Sequence, residues 1–343
     1  MKRNLIAVIA IALPEILLAQ AMEVKVRVLD ADTRQPVSNV IVCAGFQHDT
    51  LSWKKGSISE SVEAKTNARG EVELVGRTNC GEVFCAVKGA NEYYCSQPVR
   101  VFGGKRTDDL PGMTRFATPK NWIAPKEVLI ALRKIGDPIQ LCVKRVLPRE
   151  REGFHFDSAD SQSYDLLLGD WLPPLGRGKV ADIAFTHKRI DKGVVRTHNN
   201  GESLKHIGRD EVTLCFVGPD NGLVEYVTDP SETLRIRTAP ENGYKPEHLI
   251  WAETDNDLKY TSNEDKNRNF AFRVRTKRNT KGEIIEAYYG KIYGNPKIDG
   301  GGSYLLRGVV FNYYINPKSL DRNLEWDCKN NGFKVKEPFY KLP

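Results

Sequence analysis

Alternation with a period of two constrains this chain more than any other feature. In "EVKVRVLD", Val24, Val26 and Val28 alternate with Lys25 and Arg27, the pattern of a strand with one buried face and one wet face. Comparable runs recur in "VIVCAGF", "EVELVG", "VFCAVKG", "KEVLIALRKI", "EVTLCFVG", "GLVEYVT", "ETLRIRT", "NFAFRVRT" and "LLRGVVFNYYIN". They are short, rich in β-branched or aromatic residues, and set between turn formers. A helix needs apolar residues three and four apart over about a dozen positions, and no such run is found. The pattern predicts an all-β protein: two antiparallel β-sandwich-like domains after a signal peptide.

The signal peptide is read from the N-terminus. Lys2 and Arg3 precede an unbroken apolar stretch from Leu5 to Leu13, and Ala19-Gln20-Ala21 supplies the small-x-small pattern of a cleavage site. Residues 1–21 are therefore expected to be removed after Ala21. Pro14 and Glu15 interrupt the usual layout, and an uncleaved anchor is the competing reading. No later segment approaches the ~18 apolar residues of a membrane span. The expectation is an exported chain, periplasmic, cell-surface or extracellular, without a transmembrane span after processing.

Cleavage would take the basic count from 51 to 49 and the acidic from 44 to 43, a net charge of +6. That excess is spread along the chain, unlike the one-sided clustering of a nucleic-acid binder, so no nucleic-acid partner is expected. The most basic stretch, "NRNFAFRVRTKRNTKG", alternates arginines with Phe270, Phe272 and Val274, as on the solvated face of a strand. The seven cysteines, Cys43, Cys80, Cys85, Cys95, Cys142, Cys215 and Cys328, show no CxxC spacing. Export permits disulfides, and Cys80 with Cys95 is the pair singled out, from a turn and a following strand. Buried free thiols are the alternative.

The chain is long enough for two domains. The first is expected over residues 22–136, with "GGKRTDDLPGMTRFATPKNWIAPK" as a long loop before its last strand and "GDP" at 136–138 as the seam. Its "VRVLDADTRQPVSNVIV" and "KTNARGEVEL" place Asp30, Thr33, Pro36, Val37, Val40, Thr66 and Gly70 at set intervals. This segment resembles the transthyretin-like, carboxypeptidase-regulatory-like domains of exported bacterial proteins. The resemblance covers residues 23 to about 102. It implies a prealbumin-type sandwich serving folding, spacing or adhesion, with no active site of its own. The second domain is expected over residues 137–343. Its "LGDWLPPLGRGKVADIAFT", "YGKIYG" and "FNYYINPKSLDRNLEWD" resemble segments of secreted bacterial proteins of unknown function.

Chemistry is sought in several places. "GDWLPPLGRGKVADIAF" combines Trp171, two prolines and three glycines before a strand. It reads as a structural connection whose tryptophan caps the core, against a sharper reading in which Trp171 is a stacking platform for a sugar. His187, His198 and His206, near Asp191 and Glu202, match no metal-ligand spacing, and no metal is assigned. "NEDKNRN" has Arg268 and Val274 where a calcium loop wants Gly and Glu. There is no G-x-S-x-G, H-E-x-x-H or phosphate-cradling glycine motif, so no cofactor and no catalytic residue is assigned. Paired carboxylates for glycoside hydrolysis need no local motif and stay open.

The tyrosines of "AYYGKIYG" supply the remaining candidate. Tyr289, Lys291 and Tyr293 share one strand face, and Tyr288, Gly290 and Ile292 the other. Either Tyr289 and Tyr293 face a ligand, or both sets are buried between layers. The expected function is an exported, non-catalytic module for binding, adhesion or cell-surface assembly, with a glycan or cell-surface protein as partner. The alternative is a carbohydrate-active hydrolase or its accessory binding subunit.

Overall fold

The computed structural model describes residues 20–48, 58–78, 82–88, 90, 92–94, 99–102, 127–146, 162–197, 203–227, 236–265, 268–299 and 308–333. Every regular element among them is a strand, and the protein is all-β. The described residues fall into two compact units that part between Ile135 and Gly136.

The first unit contains β1 (Gln20–Asp30), β2 (Ile41–His48), β3 (Ile58–Lys65), β4 (Glu71–Thr78), β5 (Glu82–Lys88), β6 (Val99–Phe102) and β7 (Val128–Leu132). They form two sheets, in the orders β4-β1-β7 and β3-β2-β5-β6. The period of two delivers one core. Val24, Val26 and Val28 cluster with Val42, Ala44, Phe46, Leu74, Val83 and Ile130. β7 runs parallel to β1, and the excursion through the second sheet supplies the long connection a parallel pair needs. A Cβ at Gly76 would strike the Phe46 ring, so that glycine makes room for the largest fully buried side chain among the described residues of the unit.

The turn after β1 is fixed by its own polar residues. Asp30 Oδ1 accepts the amides of Asp32 and Thr33 at 2.9 and 2.8 Å. Thr66 donates its hydroxyl to Val37 O and accepts the Val40 amide, tying the turn to the end of β3. Gly70 has φ +71°, and a Cβ there would collide with Val28 O.

The second unit begins with β8 (Ile139–Val146), β9 (Gln162–Asp165), β10 (Asp170–Trp171), β11 (Ile183–Thr197), β12 (Ser203–Phe216) and β13 (Gly222–Val227). It continues with β14 (Glu247–Thr254), β15 (Tyr260–Ser262), β16 (Arg268–Arg278), β17 (Ile284–Asp299), β18 (Gly308–Ile315) and β19 (Trp326–Asn331). One sheet has the order β10-β9-β11-β12-β14-β15, the other β13-β16-β17-β18-β8-β19. All pairings are antiparallel except that of β19 with β8. Phe185, Leu214 and Ile250 of the first sheet share a core with Phe272, Ile292 and Tyr313 of the second.

The second sheet carries a further layer on its outer face. Residues 236–246 and 316–325 cross it, joined by Ala239 N to Arg322 O and Leu324 N to Arg237 O. Ala239 and Leu324 pack there on Ala271, Ala287 and Tyr289. This layer corrects two expectations. The described part of "ETLRIRT", residues 236–238, belongs to the cover and makes only an isolated bridge, Thr238 to Asn323. Arg273 is not solvated: it is 4% exposed. Its guanidinium donates to Asp220 O and Glu241 O and lies 4.4 Å from the Tyr244 ring centre. Alternation put Arg273 on the face opposite Phe272, and a carbonyl-bearing cover then took the place of water.

Candidate functional site

The connection from β9 to β11 is held by its own aspartates. β10 folds back on β9, pairing Asp170 with Asp165 and Trp171 with Tyr164. The chain then turns through residues 172–182, with a cis peptide between Pro173 and Pro174. Such a loop lacks ladder partners for its amides, and carboxylates supply them. Asp165 accepts from Leu168, Lys179 and Val180 at 2.8, 3.0 and 3.1 Å. Asp170 accepts from Trp171 and Arg177, and Asp182 from Leu166. Gly176 and Gly178 are needed for close approach: a Cβ at either would meet Asp170 and Trp171.

One guanidinium closes the arrangement. At the bulge between Val274 and Lys277, Arg275 adopts φ +54° and turns out of the β16 alternation. Its Nη2 reaches Asp165 Oδ1 at 2.6 Å, and Nε and Nη2 reach the two Asp182 oxygens at 2.8 and 2.9 Å. Burial alone would raise Asp165, but the three amides and Arg275 hold its carboxyl below the usual range. Burial pushes the Asp182 carboxyl up, and Arg275 and the Leu166 amide only partly offset this. Lys144 Nζ donates to Gly169 O and the Tyr313 hydroxyl to Leu166 O, which fixes the first turn from beneath. The four oxygens of Asp165 and Asp182 all accept hydrogen bonds, and both residues are buried, so this carboxylate pair is set up for anchoring rather than proton transfer to a substrate.

With its acids turned onto main-chain amides, the loop shows apolar side chains outward. Leu168, Leu175 and Val180 are 47%, 38% and 42% exposed, and Pro173 and Pro174 are exposed beside them. Val217, 42% exposed, follows β12 and donates its amide to Asp182 O. Leu168 and Val180 are neighbours through the shared Asp165 carboxylate. The loop can present a preformed apolar knuckle to another surface.

None of Trp171, Tyr289 and Tyr293, singled out from the sequence, is exposed. Trp171 is buried, edge-on to Tyr164 at 4.9 Å and tilted against Phe185 at 5.5 Å. It caps the core, and its ring offers no face for a sugar. Tyr289 is buried under the cover formed by 236–246 and 316–325, and Tyr293 is half-buried against Leu141, Val143 and Tyr314. For Tyr289 the reason is the added layer, and for Tyr293 it is the side chains of the neighbouring strands β8 and β18: the strand face that alternation leaves outside is itself packed. Tyr288, on the opposite face, packs on the main core. Cys80 and Cys95 lie outside the described residues, while Cys43, Cys85, Cys142 and Cys215 are free thiols. Burial pushes the Cys85 thiol up to about 11, with Cys43 adding to it. His187 Nε2 lies 3.1 Å from Asp210 Oδ1, while His198 and the side chain of His206 are outside the described residues. Among the described residues no group of His, Cys, Asp and Glu could hold a metal ion.

Comparison with known proteins adds little. No protein-family model matches the chain, and no curated protein does. Among solved structures it is similar to BcpA, the major pilin subunit of Bacillus cereus, at 10% identity, over 85% of this chain and 95% of that one. The TM-score is 0.21.

Sequence reasoning stopped at Trp171 and missed Asp165, Asp182, Arg275 and the exposed Leu168, Leu175 and Val180. One signal was available. Asp165, Asp170 and Asp182 bracket a breaker-rich loop, where Asp is the residue that caps free amides. The partner of two of them, Arg275, stands 93 residues beyond Asp182, and no local pattern leads to it.

Proposed function

We propose that the protein is an exported, non-catalytic binding module that engages a protein of the cell surface through the knuckle of residues 166–182. The N-terminal Lys2-Arg3, apolar run and Ala19-Gln20-Ala21 support export. The observation that carries the binding reading is the loop itself. Three carboxylates and Arg275 are spent on fixing a segment whose outward residues are Leu168, Pro173, Pro174, Leu175 and Val180. A connection needs no such apolar display, whereas a recognition surface gains from being preformed, since little ordering entropy is lost on binding.

A photo-crosslinking residue at Leu175, 38% exposed, tests this in intact cells, with Ile285 on the β16–β17 hairpin, 54% exposed, as the control. The expected result is a discrete protein adduct from position 175 and none from 285, lost when Arg275→Ala removes the anchor. Equal adducts from both positions, or none from either, would overturn the reading.

A further inference from the structure

The chemistry of the partner can be read from what the loop does with its charges, given that it is the binding surface. From Asp165 to Asp182 the sequence holds three acids, Asp165, Asp170 and Asp182, and two bases, Arg177 and Lys179. It reads as mildly acidic. Folding changes this: Arg275 brings the bases to three against three acids, and the acids are the covered set. All three carboxylates are turned onto backbone amides, and two of them onto Arg275 as well. Arg177 and Lys179 remain exposed, and neither pairs with a carboxylate among the described residues. The exposed side chains of the loop are therefore apolar at Leu168, Leu175 and Val180 and cationic at Arg177 and Lys179, while Asp165 and Asp182 are buried and Asp170 is half-buried.

We infer that the knuckle docks an acidic protein segment, one in which Asp or Glu flanks large apolar side chains. An apolar centre with a charged rim is the usual anatomy of a protein interface, and opposite rim charge speeds encounter and excludes wrong partners. A second copy of the same loop would bring like charges together. An anionic membrane shares the charge logic but is ordinarily gripped by Trp and Tyr at the interface, and the loop's one aromatic, Trp171, is buried. The acidic segment is the better fit.

The test pans a phage-displayed random peptide library against the full chain and against Arg177→Glu/Lys179→Glu and Leu175→Asp variants. The expected selection on the parent is of peptides with Asp or Glu beside Leu, Ile or Phe. Their affinity should fall at least tenfold for the double reversal and weaken with salt. Leu175→Asp should lose them altogether. Thermal unfolding of each variant shows that the fold is kept, as expected for exposed positions. Selected peptides without acidic bias, or affinity untouched by the double reversal, overturn the acidic partner. If Leu175→Asp still abolishes binding in that case, the knuckle stands as the binding surface and only the partner's chemistry is wrong. Binding of the parent to phosphatidylglycerol vesicles with no peptide selected also overturns it, in favour of a membrane.

Discussion

On the sheet that contains β16 and β17, Arg273 and Lys291 point away from the sandwich core, and each is 4% exposed. On the facing sheet, Arg209 and Lys192 also point away from the core, yet their side chains are 29% and 49% exposed. The period of two placed all four alike. What separates them is the cover. Residues 236–246 and 316–325 bring main-chain carbonyls over the first pair: Lys291 Nζ donates to Ile236 O and Leu324 O at 3.0 and 2.6 Å. The second pair is answered by carboxylates at the surface, Glu211 and Glu253, with the Arg209 guanidinium 4.4 Å over the Trp251 ring. A cation on a strand can thus be a solvated rim or an internal pin, and only the layer above it decides which.

The sharpest way to break this comparison is to remove the packing beneath the cover. Tyr289→Ala should cost roughly 3–5 kcal/mol, since a buried aromatic leaves both its transfer energy and a cavity behind. Urea unfolding measures it. A loss under about 1 kcal/mol would show that the cover rests loosely on the sheet and that Tyr289 is available after all.

Lys291→Ala probes the pin itself and should come next, at about 1.5–3 kcal/mol, the range for hydrogen bonds to a charged group. The Lys291→Met variant separates charge from packing, because it keeps the stem but not the donors. If Met proves as stable as Lys, desolvation had already offset the ammonium's bonds.

How much was legible beforehand follows from the same contrast. Val24, Val26 and Val28, and likewise Phe270, Phe272 and Val274, were readable as core because one face of a strand buries apolar residues whatever lies elsewhere. Arg273 and Tyr289 were not readable, because their burial is caused by segments about 30 residues away that have no period of their own. The knuckle falls between these cases. Its turn chemistry was local and visible in Pro173, Pro174 and the glycines. Its charge balance needed Arg275, which leaves the strand alternation at a bulge. That bulge has no signature in "FRVRTKR".

A milder probe is acid. His248 lies on the core side of β14, with its ring 4.8 Å from that of Phe270. Burial lowers its pKa below the ordinary 6.5, with Arg268 lowering it further and Glu225 and Asn295 opposing. A histidine whose folded value is depressed binds its proton more readily when unfolded. Stability is therefore whole above the unfolded value and declines as pH falls through it. Unfolding free energy measured at pH 7 and pH 5 should drop more for the parent than for His248→Phe. An equal drop in both would place the acid sensitivity elsewhere and leave His248 a surface residue in effect.

The smallest effect belongs to the open face. Lys192 Nζ lies 2.7 Å from Glu253 Oε1, with half of the lysine side chain in water. Such a pair spends side-chain entropy and is screened, so exposed ion pairs are worth about 0.2–1 kcal/mol. Glu253 also keeps Arg209 at 3.9 Å when the lysine is removed. Lys192→Ala should therefore cost less than about 1 kcal/mol, and less again at about 0.5 M salt, where the Debye length has shrunk to a few ångströms. Arg209→Ala should cost more than Lys192→Ala, and the part that salt does not erase reports its contact with Trp251. The discriminating result is Lys192→Ala itself. A loss near that of Lys291→Ala, unmoved by salt, would mean that this face too is covered in the folded protein, and the contrast between the two sheets would fall.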